Sequence, residues 1–228
     1  MSLFAIGDLH LSFGSDKPMD IFDGWGGYVE KLSANWKKVI KPEDTVVLAG
    51  DLSWAAGLEQ FLPDARFVQA LPGRKLIIKG NHDFWWTTLT KMNAFFDENG
   101  LDTLKIIHNG TQEVGGVCVC GTRGWFFDQN EGGDRKILLR EAGRLEASLA
   151  AAEKTGLEPV AFLHFPPVYG GYECDELISL LQKYDVRRCY YGHLHGKAAA
   201  KAMQGEYRGI LFRLVSCDAV GFSPVIVA

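Results

Sequence analysis

The sequence predicts a mixed α/β fold built as one domain over residues 1–228, and three observations carry that reading. Segments with helical spacing alternate with short β-rich apolar runs. A chain of 228 residues, 47% of them hydrophobic, fills one core and is short for two independent ones. Small clusters of Asp, His, Asn and Gly each follow an apolar run, the placement expected of loops that leave one edge of a sheet.

Residues 3–6 read as a buried strand ending at Gly7-Asp8, and residues 16–27 as a polar, Gly-rich loop carrying Trp25. Val29, Leu32, Trp36 and Val39 recur at helical spacing over 28–40, which stops before Pro42. A strand over 45–48 ends at Gly50-Asp51. Residues 58–71 are mostly helical, with Pro63 near a start or break. A strand over 75–78 ends at Gly80-Asn81-His82-Asp83, and 84–99 reads as a helix closed by Gly100. Three short strands follow, over 105–108, 111–114 and 117–120. They are separated by Asn109-Gly110 and Gly115-Gly116, both hairpin-turn signals. An amphipathic helix over 134–154 precedes a strand over 160–163 that ends at His164. A helix over 173–184, a strand over 188–191 ending at Gly192-His193, and strands over 210–215 and 224–227 complete the chain.

The net charge is −4, and Lys37-Lys38 and Arg187-Arg188 are isolated basic pairs, so binding to long nucleic acid is not expected. Cys118, Cys120, Cys174, Cys189 and Cys217 are odd in number and form no CxxC pair, which predicts reduced, buried thiols. No run reaches the ~18–20 apolar residues of a membrane span. The first apolar run stops at Asp8 without a basic flank, unlike a secretory signal, and the expected location is the cytoplasm. Nothing in the sequence specifies an oligomeric state.

Five of the six histidines fall in these clusters: Asp8-Leu9-His10, Gly50-Asp51, Gly80-Asn81-His82-Asp83, His164 and Gly192-His193-Leu194-His195. The sixth, His108, lies outside every motif and reads as an ordinary residue beside a turn. Alone, Asp8 or Asp51 would read as a helix cap and His164 as a core histidine. Together, Asp8, His10, Asp51, Asn81, His164, His193 and His195 offer oxygen and nitrogen donors without thiolate, a set suited to Mn, Fe or Zn. Seven donors are too many for one tetrahedral zinc and suit two divalent ions. Such a pair, about 3.5–4 Å apart, acidifies a bridging water to hydroxide and stabilises both oxygens of an in-line displacement.

The ordered set DxH, GD, GNHD, a lone His and GHxH resembles the calcineurin-like metallophosphoesterase superfamily, from Asp8 to His195. The resemblance implies a four-layer αββα sandwich, two mixed sheets flanked by helices, with the site at one edge. It implies that Asp8, His10 and His195 hold a first metal, that Asn81, His164 and His193 hold a second, and that Asp51 bridges them. It implies that His82 touches the phosphate or protonates the leaving oxygen, with Asp83 orienting it. Asp83 could equally cap the following helix.

Some features depart from the superfamily's phosphoprotein phosphatases. Asp51 is followed by Leu52-Ser53-Trp54-Ala55 in place of a GDxxDRG block, and the third block ends in Asp83 where GNHE would end in Glu. The GNHD form looks more like the phosphodiesterase branches. The Asp-Leu-His-Leu opening is similar to the UDP-diacylglucosamine pyrophosphohydrolases, but those carry Arg where this chain has His82. Repair nucleases share GNHD but bring extra domains that this chain has no room for.

Arg123, in Gly121-Thr122-Arg123-Gly124-Trp125, is a candidate clamp on phosphate oxygens, and a surface ion pair is its alternative. Trp54, Phe84, Trp85, Trp86, Trp125, Phe126, Phe127, Tyr169 and Tyr172 crowd the motif loops, either as an apolar wall or as packing beneath them. The expected activity is hydrolysis of a small phosphodiester or nucleotide by a dinuclear centre. Mn is the first expectation, with Fe or Zn as alternatives. A phosphomonoesterase and a non-catalytic metal-binding scaffold stay open.

Overall fold

The computed structural model describes residues 1–125 and 134–228. Its first sheet holds β1 (Leu3–Ile6), β2 (Thr45–Ala49), β3 (Arg74–Ile78) and β4 (Leu104–Ile106) in parallel, with β13 (Val225–Ile226) antiparallel beside β1. The second holds β6 (Val117–Thr122), β7 (Glu158–Leu163), β10 (Arg188–Tyr191) and β12 (Ile210–Leu214) in parallel. Its antiparallel edges are β5 (Gln112–Val114) and β11 (Gly205–Tyr207).

Strand alternation sorts the side chains into three cores. In β1, Leu3 and Ala5 point to the second sheet, where they join Val47, Ala49, Leu76 and Ile78 against Val119, Val160 and Phe162. Phe4 and Ile6 point the other way, onto Leu32 and Trp36 of α1 (Tyr28–Val39), Phe61 and Val68 of α2 (Leu58–Ala70) and Phe95 of α3 (Leu89–Glu98). On the far side, Cys118, Cys120, Ala161 and Cys189 meet Leu145 and Leu149 of α4 (Asp134–Glu153) and Leu177 and Leu181 of α5 (Asp175–Lys183). The layers are therefore α, β, β, α. Each fully buried Leu, Val or Phe contributes roughly 1.5–3 kcal/mol to holding them together. All five cysteines are free and buried, as expected. Among the described residues no helix is long and apolar enough to cross a membrane.

Two expected helix starts and one expected hairpin turn differ. The helix expected over 84–99 starts at Leu89, because Thr88 caps it, its hydroxyl accepting from Lys91 N at 3.4 Å. The turn before it is held by the Asp83 carboxylate, which accepts from Trp85 Nε1 (2.9 Å). The helix expected from 173 starts at Asp175, since Tyr172–Glu173 (β9) pairs with Val168–Tyr169 (β8) in a small hairpin. Gly115-Gly116 does turn a two-residue hairpin between β5 and β6, with φ of 57° and 87°. Asn109-Gly110 does not: β4 pairs with β3, so this dipeptide carries the chain from the first sheet to the second.

Candidate metal centre

Because β1, β2 and β3 run parallel, as do β7, β10 and β12, their C-terminal ends share one edge of the sandwich. Asp8 and His10 leave β1, Asp51 leaves β2, Asn81 and His82 leave β3, His164 leaves β7, and His193 and His195 leave β10. The sheets are joined there. Gly7 bridges Ser216, and His164 Nδ1 lies 3.1 Å from the Ala49 carbonyl.

The loops turn abruptly. Asp8, His10, Asp51 and His193 all have left-handed backbones, with φ of 58°, 46°, 49° and 73°. Such residues cost free energy unless the surroundings hold them, and they gather at functional sites. Two glycines allow the final approach: a Cβ on Gly80 would collide with the Asp51 carboxylate, and one on Gly192 with that of Asp8.

Two groups result. Ligand atoms of Asp8, His10 and His195 lie within 4.8 Å of one another, and so do those of Asp51, His164 and His193. Asn81 joins the second group, its Oδ1 2.6 Å from His164 Nε2. Asp51 Oδ2 lies between the groups, 3.8 Å from His10 Nε2 and 3.5 Å from His164 Nε2. All seven expected donors thus converge.

The donor chemistry fits cations. With its Nδ1–H donated to Ala49, His164 turns a bare Nε2 toward Asn81 Oδ1 and toward His193 Nδ1 at 3.3 Å. His195 donates Nδ1–H to Asp218 Oδ1 (2.8 Å), leaving Nε2 facing His10 Nε2 at 3.3 Å. The bare His164 Nε2 and the Asn81 Oδ1 facing it at 2.6 Å are both lone-pair atoms, which a positive charge between them would satisfy. Burial pushes the Asp51 carboxyl up to about 9, and the neighbouring Asp83 and Asp8 carboxylates push the same way. A cation beside Asp51 would reverse that penalty. Burial alone would raise Asp8 too, but the His195 hydrogen bond and the fields of His164, His195 and His10 hold it well below the usual carboxylate range. Burial lowers His10 to about 3 and His193 to about 4, the neutral form a metal ligand needs.

The residues expected around the donors are placed differently from one another. The His82 ring is half-buried beside Trp54 (centroids 4.4 Å) and Phe84 (6.0 Å), and its backbone N donates to Asp51 Oδ1 at 2.7 Å. Asp83 departs from its expected place. It neither orients the His82 ring nor caps a helix; its buried carboxylate accepts from the backbone N of Asp51 (3.0 Å), Leu52 (2.9 Å) and Gly80 (2.7 Å). It clamps the second cluster loop to the third. Burial, with the fields of His164 and Lys17, lowers His82 below its ordinary value.

Arg123 pairs with Glu141 (3.4 Å) over the Trp125 ring (4.7 Å). Trp54 and Phe84 flank His82, whereas Trp85 lies beneath the loop, stacked on Phe61 at 3.9 Å. Trp86 borders a separate cavity, and Tyr169 and Tyr172 pack against the second helical layer. Phe126 and Phe127 lie outside the described residues.

Two residues escaped the sequence reading. Asp218 follows β12 as the other acids follow their strands, and that placement was a usable signal. Lys17, whose Nζ lies 4.8 Å from the Trp54 ring, sits in an irregular loop with no pattern to mark it.

No curated protein matches the chain significantly. Solved structures do. Protein AQ665 of Aquifex aeolicus, of unknown function, aligns with a TM-score of 0.56 at 17% identity, covering 99% of this chain and 95% of its own. TT1561 of Thermus thermophilus gives 0.60 at 13%, covering 99% and 97%. The phosphopantetheinyl hydrolase PptH of Mycobacterium tuberculosis gives 0.52 at 15%, covering 94% and 88%. These likenesses show a shared fold. The model of the calcineurin-like phosphoesterase family matches residues 1–197, the span that carries all seven donors. The chain belongs to the calcineurin-like phosphoesterase family and is a metal-dependent phosphoric-ester hydrolase.

Proposed function

We propose that this hydrolase works through a dinuclear centre on a small phosphodiester or nucleotide. The observation that carries the proposal is Asp51, whose carboxylate lies within 4 Å of a histidine from each donor group. Asp8, His10 and His195 would hold one ion, Asn81, His164 and His193 the other, and Asp51 both. Two divalent ions, Mn first and Fe or Zn as alternatives, would supply a hydroxide nucleophile near neutral pH and neutralise charge on the phosphate oxygens.

The chain's own residues do the rest. His82, beside the centre, donates a ring N–H to a phosphate or leaving-group oxygen. Lys17 puts a positive charge over the Trp54 and Phe84 rings at the mouth, and those rings form a wall for a flat leaving group. Asp83 keeps the Asp51 and Asn81 loops in register and touches no substrate.

The support for a diester is sequence-level: the GNHD block and the missing GDxxDRG block. PptH, by its name, is a hydrolase acting on a phosphopantetheinyl group. At 15% identity its likeness transfers the fold and not the substrate. The test is to strip the protein with chelator, restore it with Mn and compare bis-p-nitrophenyl phosphate with p-nitrophenyl phosphate. Faster diester turnover is expected. Faster monoester turnover would make the protein a phosphatase. Two tightly bound ions with no turnover of either ester would point to a narrow natural substrate.

A further inference from the structure

Beside the metal centre lies a second cavity of about 480 Å³, within the range of small-ligand sites. Lys79, Trp86, His108, Arg123, Glu141 and Arg144 border it. It shares its walls with the centre. Lys79 precedes Gly80-Asn81, and the Arg123 carbonyl accepts from the backbone N of His164 (3.1 Å) and Phe165 (2.9 Å). The same loops turn metal donors to one side and cations to the other.

The charges there do not balance. Glu141 is the one carboxylate among the described lining residues, and it is fully buried. It is already saturated: Thr122 Oγ1 donates to it at 2.8 Å, Arg144 at 2.7 Å and Arg123 at 3.4 Å, with Arg140 Nε at 3.8 Å. Lys79 makes no hydrogen bond or ion pair among the described residues. Arg123 Nε is buried without a partner there. Thr88, the cap of the ten-residue α3, also borders the cavity, so the positive end of that helix's dipole adds to the same field. Three permanent cations, one histidine and an unpaired guanidinium N–H surround space that holds one neutralised acid. Phosphate is the chemistry that satisfies such a set, with charge, several acceptor oxygens and a geometry that forked guanidinium donors match.

We propose that this cavity is a second anion site, which binds a phosphate group held by Lys79, His108, Arg123 and Arg144. The group is either a second phosphate on the substrate or free inorganic phosphate. The substrate arm rests on the hydrolase reading. The binding arm does not, so the two fail separately.

The experiment is calorimetric titration of inorganic phosphate into chelator-stripped full-length protein, where no ion can draw phosphate to the metal centre. Saturable binding is expected, weakened about tenfold or more by Lys79→Gln. Lys79 supports no other group, so that variant should fold. Arg144→Gln, checked for folding by circular dichroism, should weaken binding similarly. No phosphate binding, or binding that neither substitution weakens, would overturn the proposal. The source is then decided on the Mn-loaded enzyme with the p-nitrophenyl ester of thymidine 5′-phosphate, with and without a 3′-phosphate. A Lys79→Gln loss in kcat/KM larger for the 3′-phosphorylated form assigns the site to the substrate's second phosphate. Equal losses assign it to free phosphate.

Discussion

Asp218 lies outside both donor groups, yet it sets the orientation of the His195 ring. Its Oδ1 takes the ring's Nδ1–H at 2.8 Å and its Oδ2 takes the Gly196 N–H at 3.0 Å, so the ring is fixed with Nε2 inward. Asp218→Ala should weaken Mn affinity by roughly 10–100-fold, read by titration of the stripped protein. Unchanged affinity would mean that His195 is held by packing alone. His82→Ala should lower kcat by about 10²-fold or more with bound metal unchanged, measured together by rate assay and elemental analysis. Asp83→Ala leaves four backbone N–H groups and the Trp85 N–H without this acceptor. It should cost about 3 kcal/mol or more in urea denaturation of the stripped protein. The seven residues that converge were legible as a cluster because residue types with oxygen and nitrogen donors recur here after apolar runs. The task of Asp83 was not legible, because a carboxylate in a loop can cap, orient or clamp, and only three-dimensional neighbours choose among these.

At the scale of elements, the strand ends matter more than the strands. The left-handed backbones of Asp8, His10, Asp51 and His193 hold each donor in a conformation L-residues avoid, so the cores beneath must supply the compensating stability. Two Gly-containing dipeptides show where local pattern stops being informative. Gly115-Gly116 and Asn109-Gly110 carry similar turn signals, and only the first closes a hairpin, because β4 finds its partner in β3 across the first sheet. Pairing is a tertiary choice that turn chemistry permits and does not dictate. At Gly116, φ is 87° and nothing lies within 4 Å of where a Cβ would stand. Gly116→Ala should therefore lower stability by about 1–2 kcal/mol through backbone strain alone. Activity at 25 °C should remain; a comparable loss of activity would mean that the hairpin edge reaches the site.

Over the whole molecule, the metal centre couples folding to pH. In the metal-free protein burial raises Asp51 to about 9, and hydrogen bonds and fields from Asp218 and Asp8 overcome burial to raise His195 to about 10. The folded state then keeps protons that the unfolded chain releases, so stability falls as pH rises from about 6.5 to 9. His10 and His193, lowered to about 3 and 4, act in the opposite direction only below pH 6.5. Denaturation midpoints of stripped protein should decline across that upper window, and the stabilisation given by Mn should grow across it; a rising midpoint without metal would contradict this. The mixed α/β class was legible from helical segments alternating with β-rich apolar runs, and the layers only from the family resemblance. The sharing of one edge by both sheets was not, since it depends on which strands run parallel.

The most direct test of the dinuclear centre is to titrate Mn into stripped protein while following bound metal and the rate of bis-p-nitrophenyl phosphate hydrolysis together. Two ions per chain, with the rate appearing as the second one binds, is the expected result. Saturation at one ion with full activity, or turnover by the stripped protein, would contradict it.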